Sequence, residues 1–300
     1  MPLIVVGSIA LDTVSTPQKT VEKVLGGSAT YFSFSASFFA RVRLVGVVGK
    51  DFPQAYRDLF SKRDIDLRGL ETREGKTFAW TGKYEGSMNS AETMEVHLNL
   101  LNDFFPTLPE AFRDSNYVFL ANGDPNTQLH VLKQLPQCKF SVLDTMNLWI
   151  ETKIDELRAV LKTVDCLIIN DGELKQLMRS SNLVHAGREA LHLGPKYIVI
   201  KKGEHGSTLI GPNKQIFTLP SFPVEHVVDP TGAGDTFAGG MMGYLSTQNN
   251  LDFLTMKRAL LYATVMASFN VEDFSLNRLI SINRNEIEGR YQQFREILSC

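Results

Sequence analysis

The chain has 300 residues, 43% hydrophobic and 21% charged, with a formal net charge of -2. That length fits one large α/β domain or two modest ones, and 31 basic residues against 33 acidic ones exclude the basic surface that a nucleic-acid partner requires. Without a stretch of roughly 18 apolar residues, a basic signal region before Leu3–Val6 or a cysteine pattern beyond the scattered Cys138, Cys166 and Cys300, the expectation is a cytoplasmic protein with no membrane partner.

In chain order, Leu3–Val6 is a β-branched run closed by Gly7-Ser8, which predicts a buried parallel strand. Asp12 follows where open α/β sheets place ligand-contacting groups, although a loop aspartate also caps its own turn. Residues 13–24 are polar and weakly periodic. Gly26-Gly27-Ser28 then enters a helical pattern of Ala29, Phe32, Ser33, Ala36, Phe39 and Ala40. Residues 42–48 form a strand, residues 53–63 a helix and residues 65–67 a short apolar piece. From 77 to 100 the texture changes. Phe78, Trp80 and Tyr84, then Met94, Val96 and Leu98, alternate with polar residues around Glu85, Gly86 and Ser87. That alternation predicts a half-exposed hairpin inserted into a buried α/β pattern.

The rhythm of buried strand, polar loop and helix then resumes. Strands at 117–121, 140–143, 166–169 and 197–200 end in Asn122, Asp144, Asn170-Asp171-Gly172-Glu173 and Lys201 respectively. Helices are expected at 126–135, 151–162, 173–178, 253–269 and 284–298, with a hairpin over 207–219. The pattern predicts a single domain, residues 1–300, with a doubly wound, mostly parallel central sheet flanked by helices and a small inserted β-sheet.

Val227 and Val228 read as a strand running into Asp229-Pro230, where proline stops the ladder. Gly232, Ala233, Gly234 and Asp235 then open a helix continued by Phe237, Met241, Tyr244 and Leu245. Unpaired N–H groups at such a start, beside the positive end of the helix dipole, hold phosphate or developing negative charge. There is no G-x-x-x-x-G-K-[ST] loop, and no G-x-G-x-x-G follows the first strand. These absences argue against a Walker-type NTPase and a standard dinucleotide-binding oxidoreductase.

The run from Asp229 to Gly240 resembles the C-terminal signature of the ribokinase-like (PfkB) carbohydrate and nucleoside kinases. Gly7 to Asp12, Gly26-Gly27, Asn170 with Glu173, and Lys201 to Gly206 resemble further family motifs in the family's order. The resemblance implies transfer of the ATP γ-phosphoryl group to an alcohol, with Mg2+. It implies Asp235 as the catalytic base and Gly232, Ala233 and Gly234 with the Asp235 N–H as an anion hole. Asp12, Gly26, Gly27 and Asn122 would contact the acceptor. Asn170, Lys201, Gly203 and Gly206 would face the nucleotide, Glu173 would order Mg2+ through water, and Asp229 would lie near a K+ site in those members that use one. The segments at about 12–24 and 77–101 would form a lid, whose outer face suits a homodimer.

The chain departs from ribokinase-type members after the glycine pair, where Ser28, Tyr31 and Phe32 replace a lysine and an asparagine, and at Asn122, where a glutamate would grip sugar. Ribose is therefore not the expected acceptor, and without a basic cluster neither is a phosphorylated sugar. The acceptor stays open between a small sugar, a cyclitol and a nucleoside, and a non-catalytic metabolite-binding relative is the alternative outside enzymes.

Overall fold

The computed structural model describes residues 1–86 and 88–299; Ser87, in the expected hairpin turn, and Cys300 lie outside the described residues. The strands are β1 (Leu3–Val6), β2 (Ala10–Ser15), β3 (Thr20–Gly26), β4 (Val42–Gly49), β5 (Asp66–Arg73), β6 (Phe78–Tyr84), β7 (Ala91–His97), β8 (Tyr117–Leu120), β9 (Phe140–Asp144), β10 (Cys166–Asn170), β11 (Tyr197–Lys201), β12 (Ser207–Ile210) and β13 (Ile216–Leu219). The helices are α1 (Ser28–Ala36), α2 (Gln54–Lys62), α3 (Pro125–Lys133), α4 (Asn147–Thr152), α5 (Ile154–Leu161), α6 (Asp171–Met178), α7 (Leu183–Ala190), α8 (Ala233–Leu245), α9 (Phe253–Asn270), α10 (Asn277–Ser281) and α11 (Arg284–Leu298).

Nine strands form one sheet in the order β13-β12-β11-β10-β9-β8-β1-β4-β5, parallel except for β12 and β13. The β-branched runs of the interior strands are buried because helices cover both faces. One apolar layer joins the sheet to α1, α8, α9 and α11, and the other joins it to α3, α5, α6 and α7. The chain order reverses at β1, whose neighbours are β4 and β8. A doubly wound sheet opens its ligand crevice at the carboxyl ends of the strands beside such a reversal.

The second sheet, β3-β2-β6-β7, carries an apolar cluster of Val14, Tyr84 and Phe274, with Trp80 and Val228 packed against it. On its edge strand β7, Met94 and Val96 are exposed. The polar stretch after Asp12 is thus two strands, and Asp12 lies within β2 instead of in a loop. Its weak periodicity hid them because only half of a small sheet is covered.

Three local expectations are corrected. Val227 and Val228 are not in a strand; residues 221–230 have no strand structure. The N–H groups of Val228 and Asp229 donate to the Val271 carbonyl (2.7 and 3.3 Å), so the segment is anchored by the end of α9 and not by a ladder. The helix expected over 151–162 is two, broken at Lys153 with φ -139°. The short piece at 65–67 extends into the eight-residue edge strand β5.

Candidate active site

α8 begins where the sequence places it. Gly232 caps it at φ 73°, a left-handed conformation that glycine adopts without strain. Space demands glycine there as well, since a Cβ would lie 2.3 Å from ring carbons of Tyr31. The Ala233 N–H closes a turn onto the Pro230 carbonyl (3.0 Å). Ala233 was expected in the donor ring, but its amide is committed to that turn. Gly232, Gly234 and Asp235 have no backbone acceptor for their amides among the described residues. Gly232 and Gly234 thus offer the free N–H groups of a helix start, while the Asp235 amide meets its own carboxylate.

Asp235 sits in the first turn, half-buried, with its pKa pushed up to about 7. Burial is the main cause and Asp144 adds to it, while Lys201 and the Asp235 amide offset part of the rise. Lys201, at the end of β11, reaches Asp144 at the end of β9 (3.3 Å to each carboxylate oxygen). Burial works against the ammonium, but Asp144, Glu173 and Asp235 outweigh it, so Lys201 stays charged. A Cβ on Gly234 would lie 3.1 Å from Lys201 Nζ. A fixed cation therefore lies directly against the helix-start loop.

On the neighbouring strand, the register pairs Asn170 with Lys201. Asn170 Oδ1 accepts from the Glu173 N–H (2.8 Å) and Glu173 Oε2 accepts from the Asn170 N–H (2.9 Å), a capping box at the start of α6. Burial raises Glu173 to about 7, with Lys201 the largest opposing effect. After β11, Lys202 N–H donates to Gly206 and Gly206 N–H to Gly203, closing a tight loop (2.8 and 3.0 Å). Asn89, near the β6–β7 connection, donates to Glu204 of this loop (2.7 Å).

The acceptor side is assembled from β2, β3 and α1. Asp12 is buried, and a Cβ on Gly26 would lie 1.8 Å from Asp12 Oδ2, so the carboxylate rests against the Gly26 backbone. Gly27, at φ 94°, caps α1, and a Cβ there would lie 2.5 Å from the Ser8 carbonyl oxygen. Asp12 is pushed up to about 7 by burial, reduced by the backbone N–H groups of Gly27 and Trp80 and increased by Asp229 and Asp235. Its Oδ1 has no hydrogen-bond partner among the described residues.

Asp229 lies between these halves. Its Oδ1 accepts from the Thr231 N–H (2.9 Å) and its Oδ2 from the Ser275 N–H (3.3 Å). It staples the turn before α8 to the loop after α9. The loop's Glu272 is engaged elsewhere, by Arg278 and Arg290 (2.9 and 2.7 Å). These contacts tie the turn before α8 to the loop after α9 and hold that loop's Glu272 away from Asp229. Asn122 is at the end of β8 as expected, but its Oδ1 accepts from Trp149 Nε1–H (3.0 Å) and its amide faces Met146 Sδ. Thus Asp12, Gly26, Gly27 and Asp229 lie around the start of α8 on one side and Lys201, Asn170 and Glu173 on the other, while Asn122 is tied to α4.

The sequence model for the pfkB family carbohydrate kinases matches residues 3–282. The chain belongs to that family. As a pfkB-family member it is a phosphotransferase with an alcohol group as acceptor. It is 30% identical over 252 residues to a cytidine kinase of Thermococcus kodakarensis, covering 81% of this chain and 88% of the relative. It is 24% identical to an inositol 3-kinase of Arabidopsis thaliana, covering 97% and 81% respectively. The ribokinase-like fold is shared with a Burkholderia thailandensis nucleoside kinase in complex with inosine, at a TM-score of 0.78, 18% identity and coverage of 97% of this chain and 98% of that one.

In this pfkB-family chain, several positioning residues escaped the sequence reading. Asn270 Nδ2 donates to the Thr231 carbonyl (2.8 Å), and Thr236 Oγ1 donates to Asn270 Oδ1 (3.1 Å), holding the signature to the end of α9. Ser8 and Ser28 bond reciprocally, joining the end of β1 to the start of α1 (3.3 and 3.0 Å). Tyr84 comes from the small sheet and its hydroxyl accepts from Thr231 (3.3 Å). Each is an ordinary polar residue until the fold brings its partner, so only those inside quoted motifs, Thr231, Thr236 and Ser8, had a signal.

Among the described residues no three histidine, cysteine or acidic side chains converge to hold a metal directly. The donor set still fits Mg2+ held through water and phosphate, the ion's usual habit. Asp144, Glu173 and Asp235 are three acids acting on one lysine, which leaves negative charge for a cation to balance. Among the described residues no helix is long and apolar enough to cross a membrane.

Proposed function

We propose that the protein transfers the γ-phosphoryl group of ATP to a hydroxyl of a nucleoside. The observation that carries this reading is Asp235 beside the free amides of Gly232 and Gly234, with the Lys201 ammonium against the same loop. Asp235 takes the proton from the acceptor hydroxyl as its oxygen bonds to the γ-phosphorus. The bond from that phosphorus to the β–γ bridging oxygen breaks, and ADP leaves. The free amides and Lys201 stabilise the charge on the group in flight. Mg2+, ordered through water by Glu173, would neutralise phosphate charge when bound. Asp144 keeps Lys201 in place.

On the donor side, Asn170, Gly203 and Gly206 flank the phosphates and nucleotide. On the acceptor side, Asp12 takes ligand hydroxyls, its carboxylate seated against the Gly26 backbone beside Gly27, with Asn122 at the end of β8. The small sheet acts as a lid that excludes water, as a group-transfer site needs. The cytidine and nucleoside kinase relatives support a nucleoside acceptor. The inositol 3-kinase relative, which spans almost the whole chain, supports a second reading, a cyclitol or small sugar.

An ATP-consumption screen over ribonucleosides, cyclitols and sugars separates the two, with Asp235→Ala as control. Turnover on cyclitols or sugars alone overturns the nucleoside reading. No Asp235-dependent turnover on any acceptor points to a metabolite-binding regulator. The exposed Met94 and Val96 on the edge strand β7 support a homodimer through the lid, which sedimentation showing only monomer would exclude.

A further inference from the structure

Tyr31 carries a polar atom that the active-site description leaves without a task. Its ring packs against Gly232, and its hydroxyl is buried with no hydrogen-bond partner among the described residues. The ionisable groups near enough to act on it electrostatically are Asp229, Asp12, Tyr84 and Asp235, from four different elements or loops. Burial raises its pKa most and all of them add to the rise, so the hydroxyl keeps its proton. Asp12 Oδ1, one of these neighbours, is also buried and unpartnered. An unmade hydrogen bond at a buried polar atom costs stability, so each such atom in a folded protein calls for an explanation. Here a donor and an acceptor are orphaned together beside the helix start that holds Asp235.

We infer that Tyr31 is a specificity-determining residue whose hydroxyl donates to a ribose hydroxyl of the acceptor, a hydroxyl that in turn donates to Asp12 Oδ1. A single alcohol group both accepts and donates, so it satisfies both orphaned atoms at once. A deoxy sugar leaves both unsatisfied, and sites built to bond a hydroxyl reject analogues that lack it. The inference rests on the nucleoside reading above and adds to it the residue that selects ribo- over deoxyribonucleosides.

The test is a cycle of one substitution and one missing substrate hydroxyl. The kcat/KM of wild type and Tyr31→Phe is measured with a ribonucleoside and with its 2′-deoxy and 3′-deoxy forms. Wild type prefers the ribonucleoside over one deoxy form by about ten- to a hundredfold, the range for a buried hydrogen bond left unmade. Tyr31→Phe loses a similar factor on the ribonucleoside, mostly through KM, and little on that deoxy form. Equal losses on all three substrates overturn the inference. The ring is kept, so packing against Gly232 persists, and removing an unbonded hydroxyl leaves Tm equal or higher. A Tm several degrees lower means that the hydroxyl already has a structural partner, such as a buried water, and also overturns it. If wild type turns over no nucleoside but does phosphorylate a cyclitol or sugar, the nucleoside reading fails, and the same cycle with that acceptor's deoxy analogues decides the role of Tyr31.

Discussion

Asp12 and Asp235 are both raised to about 7 by burial, yet their surroundings differ. Lys201 lowers the pKa of Asp235, and the amide of Asp235 assists. Asp12 has no cation among the groups that shift it, only the Gly27 and Trp80 amides, and Asp229 and Asp235 make its charge worse. In the proposed reaction Asp235 is a base with its countercharge built in, and Asp12 is an acceptor whose last hydrogen bond comes from a ligand. On that proposal the contrast separates a group that serves the chemical step from one that serves recognition.

The largest expected effect breaks the Asp235 half. Asp235→Asn should lower kcat by roughly 10²–10⁴-fold, the usual worth of a general base, and should leave the acceptor KM nearly unchanged. The same substitution should raise Tm at pH 8 but not at pH 5. With its folded pKa raised, the carboxyl binds its proton more tightly when folded, so its ionisation destabilises the fold as pH rises from about 4 through 7. Melts that differ equally at both pH values would contradict this. Lys201→Met should destabilise by about 3 kcal/mol by leaving Asp144 buried without its partner. Lys201→Met with Asp144→Asn should recover part of the loss, measured by denaturant unfolding.

Asp12→Asn tests the other half. A loss of about ten- to a hundredfold in kcat/KM, carried mainly by KM, is the expected result; a loss confined to kcat would move Asp12 into the chemical step. The pH profile sharpens the contrast further. As pH falls below about 7, kcat/KM should drop more steeply than one proton allows, and Asp12→Asn should remove one proton from that slope. The smallest effect belongs to Thr231→Val, which removes the contact with Tyr84 and should change KM by a few-fold at most, read by steady-state kinetics.

Much of this was legible in the chain. The β-branched runs ending in Asn122, Asp144, Asn170 and Lys201 marked a parallel sheet and its crevice edge, because strands buried on both faces read as continuous apolar segments. The positions of Gly27 and Gly232 were legible for a local reason, since each starts a helix at positive φ. The strands on either side of residue 16 were not legible, because a half-covered sheet leaves only a weak pattern. Nor was the irregular path of Val227 and Val228, whose composition favours a strand but whose N–H groups meet a helix end.

By itself the sequence determined the family, the fold class and the residues in the helix-start loop, because those depend on local spacing and turn chemistry. Tertiary structure alone decided that Lys201 lies against Gly234, that Tyr84 meets Thr231, and that Asp12 and Tyr31 are buried together with unpaired oxygens. Those contacts join residues far apart in the chain, and their charge and hydrogen-bond state depend on burial that no local pattern encodes.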